Sequence, residues 1–259
     1  MIHYIIIIII VLITYLLMKH NKESFESKQE HLYIISGGAR TFLQCIDKCY
    51  ENIITKLSEG ANVSILFYLK LIDIGPKGQE DWDFEYDDVE YDSVMKKMKE
   101  LDKKVTVYYK ILDDNEISDD KILSLVKNRS KYVEFLSEDK MLIRVMHFYY
   151  NIKRCKSIID GLNKKFNYYI YIRPDLYFTE EAKPIKQYKI KKIAISSNGP
   201  NGYNDHFFII PHNYYNTFFN LFDVFLNNTT VTYIHPENLT EKNAKPEILD
   251  LPSYYIKRT

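Results

Sequence analysis

The chain has 259 residues, with 35 Lys and Arg against 35 Asp and Glu and a formal net charge of zero, so no global field favours a nucleic acid or another polyanion. At 46% hydrophobic and 15% aromatic residues, with 8 Gly and 8 Pro, it carries too much apolar surface for disorder and the wrong composition for a collagen-like chain or a linker. Three cysteines are too few for a disulfide framework and leave at least one thiol unpaired.

The first predicted element is the apolar run Ile2 to Met18, unbroken isoleucine from Ile5 to Ile10, followed by Lys19, His20 and Lys22. Seventeen residues in a helix match the short end of what crosses a hydrocarbon core roughly 30 Å thick. Residues 1–20 are therefore expected to be an uncleaved, single-pass membrane anchor. A cleaved signal peptide would need a basic region ahead of the run and a small-residue site after it, and neither is present. The lysines that follow the run favour a cytoplasmic domain, whereas five Asn-x-Ser/Thr sequons, at Asn62, Asn128, Asn227, Asn228 and Asn238, favour the lumen, so the side stays open. Asn21 to Glu30 is polar and aperiodic and reads as a stalk. Residues 31–259 hold no repeat and no Pro/Ser/Gly linker, which predicts one domain.

From His31 onward, β-rich runs alternate with helical patterns, the signature of an α/β fold with helices on a central sheet. A strand at Leu32 to Ser36 leads through Gly37-Gly38-Ala39-Arg40 into a helix reaching Leu57, its apolar stripe at Phe42, Ile46, Cys49, Ile53 and Leu57 following the 3.6-residue period. Then come a strand at Val63 to Leu69, an acidic loop around the single Trp82, a short helix, and a strand at Val105 to Leu112. A long helix from about Glu138 to Lys164 feeds a strand at Tyr168 to Ile172, which stops at Arg173-Pro174-Asp175 and resumes at Leu176 to Phe178. After that the order loosens into a run at Ile193 to Ser197 and an apolar run at Phe207 to Ile210, followed by a helix over Tyr214 to Leu226 and a terminal strand at Tyr254 to Lys257.

Ligands of open α/β sheets collect beyond the carboxyl ends of the strands, so the polar residues that follow strands carry the functional expectation. In the first such loop, Gly37 and Gly38 allow a ligand to approach the backbone, the helix start offers N–H groups to an anion, and Arg40 adds a guanidinium fork for a diphosphate. A plain tight turn is the competing reading, since the loop lacks the dinucleotide and lysine-bearing phosphate fingerprints. In the second, Pro174 fixes a reversal that holds Arg173 and Asp175 at a strand terminus. There a carboxylate can take Mg²⁺ or Mn²⁺, and a simple surface ion pair is the alternative. Cys45 and Cys49, four apart on one helix, lack a second pair and read as buried thiols.

Taken in order, Ser36-Gly37-Gly38-Ala39-Arg40, Arg173-Pro174-Asp175, Asn204-Asp205-His206-Phe207-Phe208, His235-Pro236-Glu237 and Tyr254-Tyr255-Ile256-Lys257-Arg258 resemble a largely uncharacterised family of GT-A-like glycosyltransferases over about residues 31 to 258. The resemblance implies a GT-A-like (Rossmann-like) mixed sheet flanked by helices, a nucleotide-sugar donor, a hydroxyl acceptor on a glycan or glycoconjugate, and a divalent cation, Mn²⁺ or Mg²⁺. It further implies donor binding by Gly37, Gly38, Arg40, Arg173 and Asp175, a metal on Asp175 and His206, and acceptor activation by Glu237 or Asp205. Arg173 stands where the first acid of the family's Asp-x-Asp motif belongs, so the guanidinium itself is a candidate to neutralise the leaving diphosphate. Two rival readings are an anchored, non-catalytic binding protein that keeps the fold, and a Rossmann-type methyltransferase. The latter expects an acid at the end of the second strand, where Leu69-Lys70-Leu71 supplies none.

Overall fold

The computed structural model describes residues 28–71, 91–113, 116–127, 139–196, 206–227 and 244–256. The expected anchor, nearly all of the stalk, the Trp82 loop, Asp205 and Glu237 lie outside these residues. Among the described residues no helix is long and apolar enough to cross a membrane.

Nine strands and six helices follow in chain order among the described residues. They are β1 (Glu30–Gly38), the helix α1 that runs through Phe42–Lys48, Cys49–Ile54 and Thr55–Leu57, β2 (Asn62–Lys70), α2 (Tyr91–Asp102), β3 (Thr106–Leu112), α3 (Asp119–Ser124), α4 (Asp139–Gly161), β4 (Tyr168–Ile172), β5 (Leu176–Phe178), β6 (Ala194–Ser196), β7 (Phe207–Pro211), α5 (Tyr215–Phe219), α6 (Leu221–Asn227), β8 (Glu247–Leu249) and β9 (Tyr254–Ile256). Seven strands form one sheet in the order β3-β2-β1-β4-β7-β6-β8, and β5 pairs with β9 in a separate ribbon. β1 is parallel to both β2 and β4, β2 to β3, and β6 to β8; β7 alone is reversed, antiparallel to β4 and β6.

The central strands bury both faces, which is why their sequences run apolar instead of alternating. Leu32, Ile34, Leu66, Tyr68, Tyr169 and Tyr171 face the core shared with α3, α4, α5 and α6. Tyr33, Ile35, Ile65, Phe67, Ile170 and Ile172 face the core shared with α1 and α2. The winding follows from this division. β1, β2 and β3 step outward in one direction with α1 and α2 on one face; the chain then crosses the other face through α3 and α4 and lays β4 on the opposite side of β1. The order therefore reverses between β1 and β4, the point where doubly wound sheets open a crevice for ligands.

Three expectations change. The middle of α1, Cys49–Ile54, widens into a π-turn, and the extra residue per turn lets Ile53 and Ile54 both reach the core, at 0% and 1% exposure. The helix expected over Tyr214 to Leu226 divides at Asn220 into α5 and α6, because Phe218, Phe219, Leu221 and Phe222 are all buried and one straight stripe covers too little of the helix to hold them. Leu176 to Phe178 leaves the main sheet and pairs with β9, the last strand among the described residues, so the reversal at Pro174 exchanges one sheet for another.

Candidate functional site

β1 and β4 end side by side, with Ile35 opposite Ile172 in register, and the loops that follow them meet. Gly37 sits at φ +145, and a Cβ placed on it would lie 3.0 Å from Pro174 Cδ. A glycine is needed here for two reasons: the backbone conformation is one that side chains rarely adopt, and the proline ring of the neighbouring loop rests on the space a side chain would fill. The glycine bend and the Arg-Pro-Asp reversal are thus one packed unit.

Asp175 is the centre of that unit. Arg40 Nη2 donates to its Oδ2 at 3.0 Å, Arg173 Nη2 to the same oxygen at 2.6 Å, and Arg173 Nε to Oδ1 at 3.1 Å. The carboxylate is 3% exposed, while the two arginine side chains keep 22% and 25% of their surface open to solvent. Burial alone would push the Asp175 carboxyl upward, but the charges and hydrogen bonds of Arg173 and then Arg40 outweigh it and hold it below the ordinary carboxylate range. Two guanidiniums thus converge on one carboxylate, which holds them in place as a buried anchor. Guanidiniums held in this way have the geometry for charge-assisted, forked hydrogen bonds to a phosphate or diphosphate.

The remaining predicted residues fall as follows. Gly38 lies in the regular ladder opposite Lys70. Ser36 is buried toward α4 beside Cys155 and away from the arginines; burial pushes the Cys155 thiol up to about 12. His206 reaches the same edge because β7 runs opposite to β4: its carbonyl accepts a hydrogen bond from the Arg173 N–H at 3.0 Å, and its ring meets Tyr254 edge-on at 6.3 Å. Asp205 and Glu237 lie outside the described residues, so the site as described holds groups for an anion and none for acceptor activation. Cys45 and Cys49 are buried thiols.

The described residues do not fit the divalent cation expected on Asp175 and His206. Both oxygens of Asp175 accept guanidinium N–H groups, whose positive charge opposes a cation. Among the described residues no three His, Cys, Asp or Glu side chains gather, whereas Mg²⁺ and Mn²⁺ ask for several oxygen ligands.

A second carboxylate-centred group stands on the same edge around Glu116, and no sequence motif marks it. Its members come from β2, β3, the segment after β3 and α4, so only the fold brings them together.

No protein-family model matches the chain, and no curated protein does. Among solved structures it is similar to the apo form of the bifunctional glycosyltransferase WbbM, at 9% identity over 85% of this chain and 38% of that one, with a TM-score of 0.39. It is also similar to the apo form of the glycosyltransferase GlyE of Streptococcus pneumoniae, at 9% identity, 86% and 45% coverage and a TM-score of 0.40. A third likeness is to core-mannan synthase A of Aspergillus fumigatus in its Mn/GDP form, at 10% identity, 89% and 75% coverage and a TM-score of 0.44. The chain spans less than half the length of the first two. None of these distant likenesses decides what this chain acts on.

Proposed function

We propose that the chain is a glycosyltransferase that binds the diphosphate of a nucleotide-sugar donor between the β1 and β4 loops and passes the sugar to a hydroxyl of a glycan or glycoconjugate acceptor. The observation that carries this reading is the Arg40–Asp175–Arg173 array, its two guanidiniums part-exposed on a buried carboxylate, at the reversal point of a doubly wound sheet. In the transfer, the bond between the sugar's anomeric carbon and the diphosphate oxygen breaks, and a bond to the acceptor oxygen forms. The acceptor's proton goes to a carboxylate, for which Glu237 and Asp205 are the candidates. Charge accumulates on the departing diphosphate, and fixed guanidiniums aimed at that position stabilise it without reorganising.

Within this reading Asp175 orients the two arginines, and Gly37 lets the two loops that carry them pack against each other. Residues 2–18 anchor the enzyme in a membrane beside its acceptor, and residues 31–259 act as the transfer domain.

The test is thermal unfolding of the full chain with a panel of nucleoside-diphosphate sugars and, separately, S-adenosylmethionine. A ligand that binds only the folded chain adds about 2.7 kcal/mol at a hundred times its dissociation constant, which raises the midpoint by several degrees. The expected result is stabilisation by at least one nucleotide sugar, undiminished by a chelator and lost in Arg173→Gln. Stabilisation by the methyl donor alone supports the rival methyltransferase, and no response to any donor leaves an anchored binding protein.

A further inference from the structure

The group around Glu116 repeats the plan of the first site with different residues. Tyr68 OH donates to Glu116 Oε2 at 2.9 Å, Arg154 Nε to the same oxygen at 2.5 Å and Arg154 Nη2 to Oε1 at 3.4 Å, and Lys110 Nζ donates to Oε1. Four donors saturate the acceptor sites of one carboxylate. The cations are not saturated in the same way. Arg154 has five N–H donors and spends two on Glu116, and Lys110 has three and spends one. Their side chains are 36% and 37% exposed, against 14% for the glutamate. One half-buried negative charge thus holds two cations whose side chains stay more than a third exposed, so the group itself carries two positive charges against one negative. Partial burial and, after it, the charge of Arg154 lower the Lys110 pKa.

The position is as informative as the charge. Ser36, Tyr68 and Lys110 lie abreast in register across β1, β2 and β3, and strands are spaced by about 4.8 Å. The Lys110 backbone therefore stands about 10 Å from that of Ser36, the residue before the glycine bend of the first site, along the carboxyl edge of the sheet. The separation suits one substrate, or a pair of bound substrates, with a second anionic group set apart from the diphosphate.

Resting on the function proposed above, we infer that Lys110 and Arg154, held by Glu116, form a second anion site that takes a phosphate or carboxylate carried by the transferred sugar or by the acceptor. The enzyme then prefers an acidic substrate over its neutral counterpart.

Equilibrium dialysis of the full chain against inorganic pyrophosphate tests this first. The expected stoichiometry is two per chain, falling to one in Lys110→Met, in Arg154→Gln and in Arg173→Gln. The first two variants each leave Glu116 a cation, and the surviving first site reports that they are folded. A purely structural role for the group would lower their unfolding midpoints and leave their stoichiometry the same as the wild type's, which overturns the inference. A stoichiometry of one, abolished by Arg173→Gln and untouched by the other two, overturns this inference while the proposed function stands. A stoichiometry unaffected by Arg173→Gln but reduced by Lys110→Met supports the second site and removes the proposed one. The source of the anion follows from two comparisons, a nucleotide sugar bearing a uronic acid against its neutral hexose, and a hexose 6-phosphate against free hexose. Lys110→Met is expected to weaken the acidic member of one pair at least tenfold and spare the neutral one; equal affinities throughout overturn the inference.

Discussion

Asp175 illustrates how burial decides what a residue can be asked to do. Removing it leaves two guanidiniums facing each other in a site where the carboxylate was almost wholly enclosed, and losing one member of a buried charge group costs roughly 3–5 kcal/mol. Asp175→Asn should therefore lower stability as well as binding, and it reports poorly on ligand recognition alone. Arg40→Gln and Arg173→Gln each leave the carboxylate one partner; they should keep the fold while weakening nucleoside diphosphate binding about 10- to 100-fold, the worth of a charge-assisted hydrogen bond or two. Gly37→Ala should cost about 1–3 kcal/mol, because the new Cβ meets Pro174 in a conformation alanine resists; urea unfolding measures it. At the other end of β1, His31 is buried with Nδ1 2.7 Å from Ser58 Oγ, and burial lowers its pKa from 6.5 to about 4. Between those values the unfolded chain binds a proton that the folded chain refuses. Stability is therefore complete above about pH 6.5 and is lost as the pH falls toward 4, by about 3 kcal/mol from this group. Urea unfolding at pH 7 and pH 5 should show the loss in the wild type and a smaller one in His31→Gln.

At the scale of elements, α1 ties the core to the site. Its first turn follows Arg40, and its π-turn seats Ile53 and Ile54 against the face that also holds Phe42, Ile172 and Phe178. Ile54→Ala should destabilise the fold by roughly 2–5 kcal/mol, with little change in diphosphate affinity for the fraction that remains folded. The stripe Phe42, Ile46, Cys49, Ile53 and Leu57 was legible because a helix period needs only neighbours along the chain, and every one of those residues is buried. Ile54 was not legible, since a π-turn depends on what the sheet offers opposite it. The same contrast runs through the strands. β4 keeps its predicted bounds at Tyr168–Ile172, where apolar residues stop at a proline reversal. β8 escaped the sequence reading: Glu247–Leu249 is short and half exposed, and exists because β6 presents an edge for it to pair with.

For the whole molecule, a net charge of zero conceals an uneven arrangement. Two arrays, each of two cations on one carboxylate, buried at Asp175 and half-buried at Glu116, stand along the carboxyl edge of the sheet. The first was legible in outline, because glycines and an Arg-Pro-Asp turn at strand ends are local signals. That Arg40 and Asp175 bond directly was not, for it depends on β4 returning to lie beside β1. The second array was invisible for the same reason in stronger form. The account rests on the first array receiving a diphosphate, and titration calorimetry of the full chain with nucleoside diphosphates, in the presence of a chelator, measures that directly. It predicts saturable binding of one nucleoside diphosphate to the wild-type first site, weakened at least tenfold in Arg40→Gln and in Arg173→Gln. Binding of the same strength in all three proteins, or in none, would contradict it.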